Sequence, residues 1–250
     1  MNDLYNEVKE IGKGSFSIVY RAKNIKTKKP VAIKKIPIRF LDKYNDRILA
    51  ELEIISKLKH VNILEFNEIY QSKNNIYISS ELCDYTLTKI INTPLSEQDI
   101  FNIYTQIING MKYLYDRKIF HRDIKPENIL VKDDIIKIAD FGFAKRVEDH
   151  NNVMETICGS PLYMAPEIIL NKPYTNKSDI WSLGIILYQM MYKTHPFGNV
   201  YSVVQLIKNF DSKTKINYPG KNYSEELIDF VTQMLIYDPN NRISWEKLFN

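Results

Sequence analysis

Six polar side chains crowd into one short segment of this 250-residue chain. The segment FHRDIKPENIL at 120–130 places between apolar flanks the residues His121, Arg122, Asp123, Lys125, Glu127 and Asn128. Packing explains poorly why so many polar groups meet at a strand boundary. Asp123 could accept a hydrogen bond from a substrate hydroxyl, and Lys125 could neutralise a phosphoryl group during its transfer.

A magnesium site is the second piece of chemistry that this region indicates. Asn128 offers a neutral amide oxygen, and Asp140, in the sequence Asp140-Phe141-Gly142, follows 12 residues later (140 − 128). Mg²⁺ is a hard cation that prefers oxygen ligands. Because an aspartate shortly before a glycine is commonly only a turn, the prediction depends on both residues together.

A glycine pair near the start of the chain could cover phosphates. Gly12 and Gly14 lie in IGKGSFSIVY at 11–20, and Ser17 occupies the place of a third glycine. The pair alone leaves three interpretations open, which are a working nucleotide loop, a degenerate loop and an ordinary hairpin turn. A strand follows instead of a helix, which disfavours a Rossmann loop, and no GK[ST] follows, which excludes a Walker loop.

A lysine and a glutamate could orient a nucleotide beside that loop. Lys34 ends a strand with the sequence VAIK, and Glu51 lies on a predicted helix at 45–58. A lysine held by a helix glutamate would direct its ammonium group toward phosphates. The alternative for each is a surface salt bridge or a solvated charge.

Hydrophobic periodicity predicts the elements that must position these groups. Residues 4–38 and 61–82 alternate as strands do. Ser96 and Asp99 predict a capping box that opens a helix, residues 180–192 are apolar all round, and Ser224 precedes another helix. The sequence therefore predicts a small β-rich part with one helix up to about residue 82, followed by a larger helical part.

Composition excludes several classes of function. With 34 cations, 30 anions and a net charge of +4, the chain lacks the dense basic clusters of nucleic-acid binders. Its two cysteines, Cys83 and Cys158, show no metal-ligand spacing and predict a reducing, cytoplasmic location. We expect no membrane span, because no apolar run approaches the ~20 residues it requires.

Taken in order, the motifs resemble those of eukaryotic-type protein kinases over essentially the whole chain. They are GKGSFSIV, VAIK, Glu51, HRDIKPEN, DFG, APE at 165–167, DIWSLG at 179–184, and Arg242 after Asp238-Pro239. Within that family the chain looks most like Unc-51-like, autophagy-initiating kinases, with calcium/calmodulin-dependent kinases next. The resemblance implies one catalytic domain over 1–250 with an α+β, bilobal fold, comprising an N-lobe (about 1–82), a hinge (about 81–85) and a C-lobe (about 86–250), with ATP in the cleft between the lobes.

The resemblance also implies roles for individual residues. Asp123 would be the base and Lys125 the γ-phosphate clamp, Asn128 and Asp140 would bind Mg²⁺, and Lys34 would pair with Glu51. Expected ATP contacts are Ile11, Gly12, Lys13, Gly14, Ser15, Phe16, Ser17, Val19, Ala32, Lys34, Ser80, Glu81, Cys83 and Leu130. Ser80, a small residue before the hinge, would leave room for bulky inhibitors. In support of the fold, Asp179 would hold the backbone of His121-Arg122-Asp123, and Arg242 would pair with Glu167.

Regulation and substrate binding follow from the same resemblance. Thr156 would be the activating phosphorylation site, with Arg122 and Lys145 binding its phosphate. Ser160 would contact Asp123 and, with Leu162, would shape the pocket that binds the substrate residue directly after the acceptor (the P+1 residue). The implied partners are proteins with Ser or Thr acceptors and an activating kinase, unless the chain phosphorylates itself. The alternative is a pseudokinase scaffold, although Lys34, Asp123, Asn128 and Asp140 are all present. The sequence predicts no oligomeric state.

Overall fold

Two compact units make up the chain in a computed structural model. The first comprises Met1–Tyr85 and Leu130–Gly142, and the second comprises Thr86–Ile129 and Phe143–Asn250. The structure describes residues 4–14, 17–38, 52–156, 158–200, 202–212, 214–220 and 222–250. The first unit is β-rich and the second is mainly helical, which confirms the predicted α+β class.

An antiparallel sheet of five strands dominates the first unit. Its strands are β1 (Tyr5–Lys13), β2 (Ile18–Asn24), β3 (Pro30–Pro37), β4 (Phe66–Gln71) and β5 (Asn75–Glu81). Their order across the sheet is β1-β2-β3-β5-β4. A turn at 72–75 joins β4 to β5, closed by a bond from Ser72 N–H to the Asn75 carbonyl at 2.8 Å. Residues 52–55 are helical, whereas the rest of the predicted helix up to Glu51 lies outside the described residues.

The register of the sheet separates two apolar clusters. One cluster is formed by the buried residues Tyr5, Ala22, Val31, Ile33 and Tyr77. The other is formed by Ile36, Ile76 and Ile78, with Leu52, Ile55 and Phe66 packed against it. Because side chains alternate between the faces of a strand, Ile33 and Ile36 of β3 belong to opposite faces. Both faces of the sheet therefore carry packed apolar side chains.

A β-hairpin completes the first unit. It pairs β8 (Ile129–Lys132) with β9 (Ile135–Ile138), and β6 (Tyr85–Thr86) lies beside β8. The Asn62 side-chain amide donates to the Ile136 carbonyl at 3.0 Å and anchors the hairpin. The hairpin continues directly into Asp140, so it fixes where that residue lies.

The second unit consists of seven described helices and two short strands. The helices are α1 (Leu87–Ile91), α2 (Glu97–Tyr115), α3 (Pro166–Ile169), α4 (Lys177–Tyr192), α5 (Val203–Asp211), α6 (Glu225–Met234) and α7 (Trp245–Leu248). The strands β7 (Ile119–Phe120) and β10 (Lys145–Arg146) pair antiparallel. Short 3-10 turns at Pro126–Asn128 and Pro161–Tyr163 each begin with proline, whose fixed φ suits the first position of a helical turn.

Capping and burial explain where the main helices begin and pack. The Ser96 hydroxyl accepts from Asp99 N–H at 3.1 Å, and the Asp99 carboxylate accepts from Ser96 N–H at 2.9 Å, which confirms the capping box. Helix α4 is buried nearly all round, as its apolar sequence predicts. Ser224 caps α6 by accepting from Leu227 N–H at 3.2 Å. None of the described helices combines the length and apolar character that a membrane crossing needs.

Candidate active site

Residues 120–130, which we call the catalytic segment, contain a compact hydrogen-bonded group in the second unit. The Asp123 side chain is 3% exposed, and its Oδ2 accepts from Lys125 Nζ at 2.9 Å and from Asn128 Nδ2 at 3.0 Å. Asn128 Nδ2 also donates to the Asp123 carbonyl at 2.8 Å. Asp123 Oδ1 is buried and has no hydrogen-bond partner among the described residues. The carboxylate therefore keeps acceptor capacity that the described part of the chain does not use.

A buried aspartate holds the backbone just before Asp123. Arg122 has φ +65°, a left-handed conformation that is uncommon for non-glycine residues. The Asp179 carboxylate accepts from His121 N–H at 3.0 Å and from Arg122 N–H at 2.9 Å. Burial raises the pKa of Asp179, although these two N–H groups favour its charged form. The predicted contact of Asp179 with the backbone is confirmed.

Lys125 links the catalytic segment to the segment around Ser160. Its Nζ donates to the Ser160 hydroxyl at 2.7 Å as well as to Asp123. We expected Ser160 to contact Asp123 directly, whereas the hydrogen bonds run through Lys125. Next to it, Gly159 has φ +105°, and a Cβ there would lie 2.6 Å from the Arg122 carbonyl oxygen. Only glycine allows this close approach of the two backbones.

In the first unit, the sheet register gathers several of the expected ATP contacts on one face. Val19 pairs with Gly12 and with Lys34, and Ala32 pairs with Ser80. Paired residues share a face, and Ala32 and Lys34 are two positions apart on β3, so all five belong to the same face. Ile11, two residues before the end of β1, is 51% exposed. Strand register thus brings together residues that are 68 positions apart (80 − 12) in the sequence.

Gly14 and Ser17 lie at the two ends of the glycine-containing loop that joins β1 to β2. Gly14 N–H donates to the Ser17 carbonyl at 2.8 Å, and Lys13 pairs with Ile18. A Cβ on Gly14 would lie 3.1 Å from the Ser17 hydroxyl oxygen. The serine in the third glycine position therefore packs against the second glycine. The expected contacts Ser15 and Phe16 lie outside the described residues.

Lys34 forms an ion pair with Asp140. The Lys34 Nζ donates to Asp140 Oδ1 at 3.0 Å, and the Asp140 side chain is 45% exposed. Gly142 N–H donates to the same oxygen at 3.4 Å, and Asp140 has φ +59°. Glu51, the expected partner of Lys34, lies outside the described residues, so that pair stays a prediction.

The two expected Mg²⁺ ligands have suitable chemistry. Asn128 commits its amide N–H groups to Asp123, so its amide oxygen takes no part in those bonds. Asp140 offers a partly exposed carboxylate. No group of three His, Cys, Asp or Glu residues in the described chain could hold a metal by itself. Mg²⁺ usually takes one or two carboxylates together with phosphate and water, so such a donor set fits this cation.

At the expected hinge, the Glu81 side chain has a role that the sequence did not reveal. Its buried carboxylate accepts from Lys132 Nζ at 2.9 Å, lies 3.0 Å from Lys137 Nζ, and accepts from Glu65 N–H at 2.9 Å. Burial would raise the pKa of Glu81, but these donors outweigh it and lower the pKa. Burial and the Glu81 charge raise the pKa of the neighbouring Cys83 thiol to about 12, so the thiol stays protonated at neutral pH.

The described residues of the segment 145–164 are mostly irregular, but short pairings fix them. Lys145 pairs with Phe120 across β10 and β7 and is exposed. Thr156 is exposed, while its carbonyl accepts from the Tyr174 hydroxyl at 2.8 Å. Leu162 is 41% exposed, and its carbonyl lies 2.9 Å from His195 Nε2. Sequence reasoning missed Tyr174 and His195, because neither lies in a motif or in a periodic pattern.

Arg242 and Glu167 form the predicted ion pair. Arg242 Nη1 and Nη2 donate to the two oxygens of Glu167 at 2.8 and 3.0 Å, and the two side chains are 0% and 4% exposed. Arg242 also donates to the carbonyls of Lys177 at 2.7 Å and Ile236 at 3.0 Å. This pair connects α3, which contains Glu167, to the residues just before α7.

Comparison with known proteins gives a consistent set of relatives. The family model described as protein kinase domain matches residues 5–250. The serine/threonine-protein kinase atg1 of Dictyostelium discoideum is 40% identical over 256 residues, covering 97% of this chain and 38% of the relative. ATG1c of Arabidopsis thaliana is 35% identical, covering 97% and 34%, and Nek5 of Homo sapiens is 36% identical, covering 97% and 35%. The chain thus spans little more than a third of the length of these relatives.

Proposed function

Since the chain belongs to the protein kinase family, we propose that it transfers the γ-phosphoryl group of ATP to serine and threonine hydroxyls of proteins. The observation that carries the proposal is the group formed by Asp123, Lys125, Asn128 and Ser160. It offers a base with unused acceptor capacity and a cation within 3 Å of that base. The relatives named serine/threonine-protein kinases support the same class of reaction.

Each residue of the group would have a distinct task. Asp123 would accept the proton of the substrate hydroxyl, since its carboxylate is held in place by two donors and is not saturated by them. Lys125 would stabilise the charge that develops on the transferred phosphoryl group. Phosphoryl transfer depends mainly on positioning and charge stabilisation, so a rigid arrangement of this kind is what the reaction requires.

Residues of the first unit would hold the nucleotide. The sheet face with Gly12, Val19, Ala32, Lys34 and Ser80 would contact ATP, and Lys34 would neutralise phosphate charge. Asn128 and Asp140 would hold Mg²⁺, which supplies further neutralisation of that charge. The lobe limits, with a hinge at about 81–85, remain part of the proposal. The first compact unit of the structure also includes Leu130–Gly142, whereas the limits predicted from the sequence assign these residues to the C-lobe.

Regulation by phosphorylation of Thr156 belongs to the same proposal. The Thr156 side chain is exposed, and a phosphate would add roughly −1.5 to −2 charges there. Arg122 and Lys145 would bind this charge. We expect Thr156→Ala to lower activity, and full activity of that variant would mean that the segment needs no phosphate.

The test uses labelled ATP, Mg²⁺ and a library of serine- and threonine-containing peptides. The wild-type chain should transfer label, whereas Asp123→Asn should reduce the rate by at least a hundredfold, since it removes the base. Asp116→Asn, the same substitution at an exposed site, serves as the control and should retain full activity. Equal signals from the wild type and Asp123→Asn would refute the proposal and favour a pseudokinase that does not transfer phosphate.

A further inference from the structure

One buried tyrosine connects three parts of the second unit. The Tyr174 hydroxyl donates to the Thr156 carbonyl at 2.8 Å and accepts from Arg122 Nη1 at 3.5 Å. The Tyr174 backbone pairs with Met154 through two bonds, at 2.8 and 2.9 Å. Tyr174 is 3% exposed. A single residue thus contacts the expected phosphorylation site and the arginine expected to bind its phosphate.

We propose that Tyr174 is a positioning residue that holds residues 154–156 and 158–160 against the catalytic segment before any phosphate is added to Thr156. The inference rests on the proposed kinase activity and extends it to the regulation of that activity. The Tyr174 hydroxyl holds the beginning of this segment, while the bond from Lys125 to Ser160 holds its end. Between them lies Gly159, in close contact with the Arg122 backbone.

The hydroxyl, rather than the aromatic ring, carries this role. The ring packs in a cluster with Phe120, Val147, Met154, Met164 and Ile168, and a phenylalanine would keep that packing. The bond to Thr156 requires the hydroxyl to donate. Burial raises the pKa of Tyr174 to about 12, so the hydroxyl keeps its proton at neutral pH. The Thr156 side chain remains exposed while its carbonyl is held, so a modifying enzyme could still reach it.

The arrangement predicts that the hydroxyl and a phosphate on Thr156 substitute for each other. A phosphate would give Arg122 a charged partner on the same segment and would create a second link to the catalytic segment. Loss of the Tyr174 hydroxyl should therefore matter most when Thr156 is unmodified. A residue that only stabilises the fold would have the same effect in both states.

Hydrogen exchange tests the positional part without relying on activity. In the unphosphorylated wild type, peptides covering 154–160 should exchange slowly, and Tyr174→Phe should accelerate that exchange about three- to tenfold, as expected for one lost hydrogen bond. Tyr223→Phe is a matched control, because its hydroxyl also donates to a carbonyl, that of Met191, at 2.8 Å. Fast exchange at 154–160 in the wild type itself would overturn the proposal, even if the variant did not fold.

Kinetics test the regulatory part. For the unphosphorylated chain, Tyr174→Phe should lower kcat/KM for a peptide about three- to tenfold while the KM for ATP stays unchanged. With Thr156 phosphorylated, the same substitution should cost less than twofold. An equal loss in both states, or an equal loss in Tyr223→Phe, would overturn the inference. A wild type that transfers no phosphate would refute the proposed function, while the exchange result would still decide the role of Tyr174.

Discussion

The buried pair of Arg242 and Glu167 offers a quantitative test of what holds the second unit together. Glu167→Gln preserves the shape of the side chain and removes its charge. In the wild type, both carboxylate oxygens accept from the guanidinium, at 2.8 and 3.0 Å. In the variant, one of them becomes an NH₂ group, which donates and therefore opposes the N–H group of Arg242 that faces it.

The expected cost follows from the burial of both partners. The Arg242 side chain is fully buried, so it would keep its charge without a carboxylate to balance it. Breaking a buried pair from one side costs about 3–5 kcal/mol. For a chain of this size, such a loss lowers Tm by roughly 6–20 °C. Arg242→Met should cost more than Glu167→Gln, because it also leaves the carbonyls of Lys177 and Ile236 without this donor.

Thermal unfolding followed by tryptophan fluorescence is a suitable assay, since the Trp181 ring centre lies 5.2 Å from the guanidinium. Asp116→Asn is the control, because its pair with Lys112 is exposed, at 51% for each side chain. An exposed pair contributes at most about 1 kcal/mol, so Tm should fall by no more than about 4 °C. If the Tm shifts of Glu167→Gln and Asp116→Asn were the same, the reasoning from burial would be refuted.

Three further predictions concern other sites. Burial lowers the pKa of His195, so at a pH below about 6.5 the unfolded chain binds more protons than the folded chain, and Tm should fall. His195→Gln should make Tm less dependent on pH in this range. The same pH profile of Tm in the variant and the wild type would contradict the prediction. Glu81→Gln should lower the free energy of unfolding, measured by urea denaturation, by about 3 kcal/mol, the lower end of the cost of breaking a buried pair, because it leaves Lys137, 11% exposed, without its carboxylate; a free energy within error of the wild type would contradict this. Ser80→Phe should abolish inhibition by purine analogues with bulky substituents, and equal inhibition of both proteins would exclude a role for Ser80 in admitting them.

Local patterns made much of the fold predictable. Alternation along the strands, the capping box at Ser96 and the apolar sequence of α4 each depend on a few neighbouring residues, and the structure has all three. The motif resemblance anticipated the contacts of Asp179 and of Arg242, which are far apart in sequence. The family match confirms that resemblance. The roles of Asp123, Lys125 and Asn128 in catalysis stay predictions, as do those of Glu51, Ser15 and Phe16.

The contacts that escaped prediction are tertiary ones without a local signal. Tyr174 is 18 residues from Thr156, and His195 is 33 residues from Leu162. Lys132 and Lys137 resemble ordinary surface lysines in sequence, and only the strand pairing of their hairpin brings them to Glu81. Such contacts depend on where elements meet, and neither the period of a strand nor the period of a helix encodes that.

The close approach of Gly159 to the Arg122 backbone has a consequence for variation in this chain. Gly198 and Gly220 also have positive φ, but a Cβ on Gly198 would meet nothing within 4 Å, and one on Gly220 would make only ordinary contacts. Asparagine tolerates such backbone angles, so Gly198 and Gly220 are positions where sequences can drift. At Gly159 no side chain of any chemistry fits, because the obstacle is the carbonyl that precedes Asp123. In a library of variants, the functional ones should therefore carry different residues at positions 198 and 220 but keep glycine at position 159.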